Sequence, residues 1–102
     1  MTSHRDSEYY DRLTDNLKLN DRISYDHLLY LLDQGREIEF TYNGVEYFIA
    51  HMKEGRVLWH QKHQLSDYYA DRNEAFVEET KIDQISLADI FRQKKAEIGT
   101  IF

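Results

Sequence analysis

The sequence predicts a small α+β domain: a three-stranded antiparallel meander preceded by two helices and followed by two. Three observations carry this expectation. Apolar residues recur at helical spacing before Gly35, alternate with polar ones from Arg36 to Lys62, and return to helical spacing after Asn73. The order αα, βββ, αα segregates helices from strands, which excludes a parallel α/β sheet.

In the first helix, expected from Ser7 to about Leu19, Tyr9, Tyr10, Leu13 and Leu17 fall three or four apart on one stripe. Residues 1–6 carry no such pattern and are expected to be loose. Ser24 is placed to cap a second helix over 24–34, its hydroxyl accepting a first-turn backbone N–H. Tyr25, Leu28, Leu29, Leu31 and Leu32 form that helix's apolar stripe, and Gly35 stands where helices end left-handed.

Asn43-Gly44 between two alternating runs is a hairpin turn, because both residues must take positive φ. The short loop pairs Tyr42 with Val45, Phe40 with Tyr47 and Ile38 with Ile49, so these six side chains share the core face. Glu54-Gly55 makes a second tight turn into a third strand from Val57 to Lys62, completing the 36–62 meander. Residues 63–72 read as a polar loop. Asn73 is placed to cap a short helix through Thr80 with Phe76 and Val77 inward, and Lys81 to Ile85 is a connector with two apolar anchors. Ser86-Leu-Ala-Asp89 reads as a capping box with Asp in place of Glu. Leu87, Ile90, Phe91 and Ile98 then extend a helical stripe, so 73–98 is expected to be helical.

With 102 residues, 41% of them hydrophobic, the chain reads as one domain around one core. The absence of cysteine excludes a disulfide framework, a thiolate metal site and a cysteine nucleophile, and a reducing cytoplasm is the expected location. The polar first residues, MTSHRDSEYYDRLTDN, do not resemble an export signal. No apolar run approaches the roughly 18 residues of a membrane span. A formal charge of -6 opposes binding to nucleic acid or to an anionic membrane, which leaves a protein as the expected partner.

The stretch Gly35-Arg-Glu-Ile-Glu-Phe40, then Tyr42-Asn43-Gly44, Tyr47 and Ile49, then Lys81-Ile82-Asp83 and Leu87, resembles a loose group of small, mostly uncharacterised proteins of Gram-positive bacteria and their phages. The resemblance covers roughly residues 28–92 and falls on the hairpin turn, its core face and a helix start. It therefore implies a shared fold and carries no catalytic residue across. It also implies a phage or mobile-element setting, in which small acidic proteins include inhibitors of host defence nucleases such as anti-CRISPR proteins.

Four constellations compete for function. His60-x-x-His63, with His51 on the neighbouring strand, would offer three imidazoles to a metal-assisted hydrolase. However, residues three apart on a strand point to opposite faces, and no carboxylate orienter accompanies them. Glu37, Glu39 and Glu46 share one sheet face as alternation alone requires, which reads as a solvated surface. No GxSxG, Walker or dinucleotide glycine pattern is present, so neither enzyme chemistry nor a cofactor is expected.

The third constellation is apolar. Phe48, Ala50, Met52, Val57 and Trp59 share the parity of the outer sheet face, and the pattern favours cover by the last helix through Leu87, Ile90 and Phe91. The alternative is a docking surface for a protein partner or a homodimer, with Phe48, Met52 and Trp59 as anchors. The fourth is acidic. Between Ser66 and Ile90, Asp67, Asp71, Glu74, Glu78, Glu79, Asp83 and Asp89 stand against Arg72 and Lys81, with Tyr68 and Tyr69 alongside. Asp67, Asp71, Glu74, Glu78 and Glu79 suit an acidic nucleic-acid mimic that inhibits a nuclease, although a solubilising helix face produces the same pattern. The expected function is a non-enzymatic cytoplasmic protein-interaction module.

Overall fold

The structure, a computed structural model, describes residues 4–70 and 72–102. Among them the elements run α1 (His4–Asp15), α2 (Tyr25–Asp33), β1 (Ile38–Tyr42), β2 (Val45–Met52), β3 (Gly55–His60), β4 (His63–Gln64), α3 (Asn73–Glu79), β5 (Lys81–Ile82), β6 (Ile85–Ser86), α4 (Leu87–Arg92) and β7 (Glu97–Ile101). The fold is α+β with four helices among the described residues and an antiparallel sheet, but the sheet has five strands rather than three, in the order β4-β3-β2-β1-β7.

Local chemistry explains the elements that match expectation. Ser24 Oγ accepts the His27 N–H at 3.0 Å and caps α2. That helix closes in a Schellman motif: Gly35, at φ +78°, donates to the Leu32 carbonyl and Arg36 donates to the Leu31 carbonyl. The β1–β2 hairpin has the expected register around Asn43 and Gly44, whose φ values are 51° and 77°. The following turn lies one residue earlier than predicted, because Met52 pairs with Gly55 and leaves Lys53 and Glu54 as the loop.

The C-terminal segment departs furthest from expectation. Lys94 adopts left-handed backbone, φ 53°, and closes a second Schellman motif in which Lys94 donates to the Phe91 carbonyl and Lys95 to the Ile90 carbonyl. The helix therefore stops at Arg92 instead of running to Ile98. Ile98 lies opposite Phe40 in β7, an added strand beside β1. Between the Phe40/Ile98 and Ile38/Ile101 pairs, Glu39 faces both Gly99 and Thr100, which is a β-bulge.

Smaller differences have equally local causes. The α1 backbone begins at His4, within the segment expected to be loose, and ends at Asp15. Tyr10 and Leu17 pack against the core, whereas Tyr9 and Leu13 from the same predicted stripe are exposed. Asn73 does not cap α3; it is the first helical residue, and its amide bridges Asp33 and the Arg56 guanidinium. His63–Gln64 forms β4 at the start of the predicted loop, and the connector after Lys81 is a tight hairpin with Asp83 and Gln84 at φ 52° and 70°. Ser86 Oγ accepts the Asp89 N–H at 3.1 Å, while the Asp89 carboxylate pairs with Arg92.

Helices α2, α3 and α4 bury Leu28, Leu31, Phe76, Leu87, Ile90 and Phe91 in one cluster with Ile38, Phe40, Ile49, Leu58 and Ile98 of the sheet. Full burial of a side chain of this size contributes about 1.5–3 kcal/mol. The α1 helix packs outside α2, with the Tyr10 and Tyr30 rings stacked at 5.1 Å and the Tyr30 hydroxyl donating to Asp11 at 2.7 Å. No described helix is long and apolar enough to cross a membrane.

Candidate interaction surface

Which face α4 covers decides whether the outer apolar patch is open. The Phe91 ring meets Phe40 edge-to-face at 5.4 Å, so α4 lies on the core face of the sheet. Cover of the outer face by Leu87, Ile90 and Phe91 is thereby overturned: all three are fully buried in the core cluster. Ala50 and Val57, paired across β2 and β3, are buried too but lie outside that cluster. Their face is the second side of the sheet; the buried apolar residues of α2, α3 and α4 all belong to the core-face cluster, so neighbouring side chains of the sheet face and its flanking segments bury Ala50 and Val57.

Strand alternation places Phe48 at the middle of this open face, directly opposite Trp59 on β3 and Glu39 on β1. Both aromatic rings are half-buried, and Met52, two pairs along β2, is 42% exposed. Phe102, which the sequence reading did not single out, joins them. Its N–H donates to the Glu37 carbonyl at 2.8 Å, its carbonyl accepts from Arg36 Nε, and its ring lies edge-on to Phe48 at 5.9 Å. The signal for Phe102 was its place after β7, hidden while that stretch read as helix. A groove of about 740 Å³ runs along the β1–β2 end of the sheet, lined by Leu19, Glu39, Thr41, Glu46, Phe48 and His60 among others.

The acidic segment does not form one free track. Glu78 is bound by the Arg92 guanidinium and accepts from the Tyr25 hydroxyl at 3.2 Å; the Arg92 hydrogen bond holds its carboxyl below the usual range. Arg92 also pairs with Asp89 at 3.0 Å and lies over the Tyr25 ring. Glu79 accepts from the Tyr69 hydroxyl at 3.1 Å and has Arg72 at 3.9 Å. Tyr69 is half-buried, edge-on to Phe76, and its backbone exchanges hydrogen bonds with Arg56, so it serves the fold. Tyr68, Asp67 and Glu74 remain exposed, and Asp71 lies outside the described residues.

The histidines divide. The β3–β4 turn brings His60 and His63 directly opposite each other, closer than strand parity suggested. His51 pairs with Arg56 at the other end of β3, away from both. His60 donates from Nδ1 to the Glu46 carbonyl at 2.9 Å, which fixes its tautomer. Among the described residues no group of three or more His, Asp or Glu side chains is placed to hold a metal ion.

Compared with models of known protein families, with curated proteins and with solved structures, the chain matches none.

Proposed function

We propose that the protein is a non-enzymatic cytoplasmic interaction module that holds a partner protein on the open face of its sheet. Phe48 is the central anchor, with Trp59, Met52 and Phe102 around it. The observation that carries this reading is the one-sided packing of the helices, which leaves the half-buried Phe48 and Trp59 rings and the exposed Met52 and Phe102 side chains at the surface of the second face, over the buried Ala50 and Val57. Aromatic residues and Met are the side chains enriched at such interfaces. A phage or mobile-element setting belongs to the same reading and rests on the hairpin resemblance. The nucleic-acid mimic draws less support, because Glu78 and Glu79 already serve Arg92, Tyr25 and Tyr69.

Affinity capture from cell lysate tests the surface. The chain is compared with a Phe48→Ser/Met52→Glu variant and with a Glu74→Lys/Glu78→Lys variant, each checked for folding by circular dichroism. A partner lost by the first variant and kept by the second is expected. A partner kept by the first and lost by the second overturns the open-face assignment in favour of the acidic helix.

A further inference from the structure

The geometry points to a basic amphipathic helix of a partner protein as the occupant of the open sheet face, seated beside Phe48 with Lys or Arg toward Glu39, Glu46 and Glu97. This rests on the proposal that the open face is the docking surface, and it adds the partner's chemistry.

Charge is the first argument. Glu39 and Glu46 line the groove next to Phe48, and Glu97, opposite Thr41 in the β1–β7 register, lies on the same face. The described ion pairs engage Glu78, Glu79 and Asp89 and none of these three carboxylates. No Lys or Arg lines the groove. An acidic half beside an aromatic half matches a helix that carries cations along one flank of an apolar stripe.

The shape of the occupant follows from the sheet edges. On the free side of β7, Asn20 donates to the Ile98 carbonyl at 2.9 Å and Ile98 donates to the Asp21 carbonyl at 2.7 Å. On the other side of the sheet, β4 and the Leu65–Tyr69 stretch take the hydrogen bonds of β3. Strand addition is blocked at Ile98 on one edge and along β3 on the other, which favours a segment lying across the face. The five strands hold 26 residues together; at about 3.4 Å per residue and about 4.8 Å between strands they present roughly 400 Å². This is about half of the roughly 800 Å² per partner of a stable dimer. It suits one helix about 10 Å across. A second copy on this face would also bring its own Glu39 and Glu46 into the interface.

The test pans a display library of amphipathic helical peptides, randomised at the positions flanking the apolar stripe, against the full chain, a Glu39→Lys/Glu46→Lys/Glu97→Lys variant, and Phe48→Ser with Met52→Glu as a second apolar probe. Enrichment of Lys and Arg, with binding of the selected peptide falling about tenfold or more in the triple variant, is expected. Selection on the triple variant should turn toward Asp and Glu. Enriched peptides without Lys or Arg that still require Phe48 and Met52 overturn the basic helix but leave the open-face reading standing. Peptides indifferent to Phe48 and Met52, or none retained, overturn both. A dimer by light scattering that Phe48→Ser dissolves replaces the basic helix with a second copy.

Discussion

Arg56 and Leu32 are joined across the core: Arg56 Nη2 donates to the Leu32 carbonyl at 2.8 Å. Nη1 of the same guanidinium donates to the Arg36 carbonyl at 2.7 Å. Arg56 is only 2% exposed and faces the core side of β3, so a buried cation ties the sheet to the C-terminal end of α2. The negative end of the helix dipole and the second lone pair of the Leu32 carbonyl, whose first accepts the Gly35 N–H, favour a cation there.

Replacing Arg56 with Met keeps the alkyl volume but removes the donor to the Arg36 carbonyl and leaves the Leu32 carbonyl with the Gly35 N–H alone. A loss of about 3 kcal/mol in urea unfolding is expected, because two hydrogen bonds from a charged donor, about 1.5–3 kcal/mol each, are lost. Arg56→Lys should fall between, since one ammonium cannot match the guanidinium fork.

Gly55 opens β3 at φ +130°, and a Cβ built there would lie 2.6 Å from the Tyr69 carbonyl carbon and oxygen. These are backbone atoms, which cannot swing aside. Gly55→Ala should therefore cost at least about 2 kcal/mol and loosen the Leu65–Tyr69 stretch. At Gly44, φ +77°, a Cβ meets nothing within 4 Å, so Gly44→Ala should cost only the left-handed strain, about 1 kcal/mol. Equal losses in thermal unfolding would contradict this account.

His27, buried in α2, has its ring against Tyr10 and its Nε2 at 2.8 Å from Thr14 Oγ1. The Thr14 hydroxyl donates to the Tyr10 carbonyl, so His27 Nε2–H is the donor to Thr14. Burial lowers the His27 pKa, which keeps the folded imidazole neutral where the unfolded chain takes up a proton. The unfolded state then binds more protons below its own pKa of about 6.5, and stability falls as pH drops from there through the lowered folded value. Urea unfolding should show that slope in the parent chain and a shallower one in His27→Gln; an unchanged slope contradicts the assignment.

The hairpin register was legible because Asn43-Gly44 fixes the loop and alternation fixes the face, leaving one pairing that keeps Ile38, Phe40 and Ile49 together. Helix α2 was legible for a similar reason, with Ser24 and Gly35 marking both ends. The end of α4 was hidden because its Schellman motif is closed by Lys94, a residue that rarely takes left-handed backbone, and Ile98 fits a helical stripe as well as a strand. Parity identified Phe48, Met52 and Trp59 as sharing a face, but that face is open only because β7 and α4 lie where they do. The neutralisation of Glu78 likewise depends on Arg92, two residues beyond the acidic window and brought to it by the α3–α4 packing.

The most direct test of the open-face account is hydroxyl-radical footprinting of the chain alone and in complex with its captured partner, read by mass spectrometry at single residues. The account predicts protection of Met52, Trp59, Phe48 and Phe102, with Tyr9 and Leu13 on α1 unchanged. Protection confined to α3 and the Asp67–Tyr68 segment, with Met52 and Phe102 as reactive as in the free chain, would contradict it.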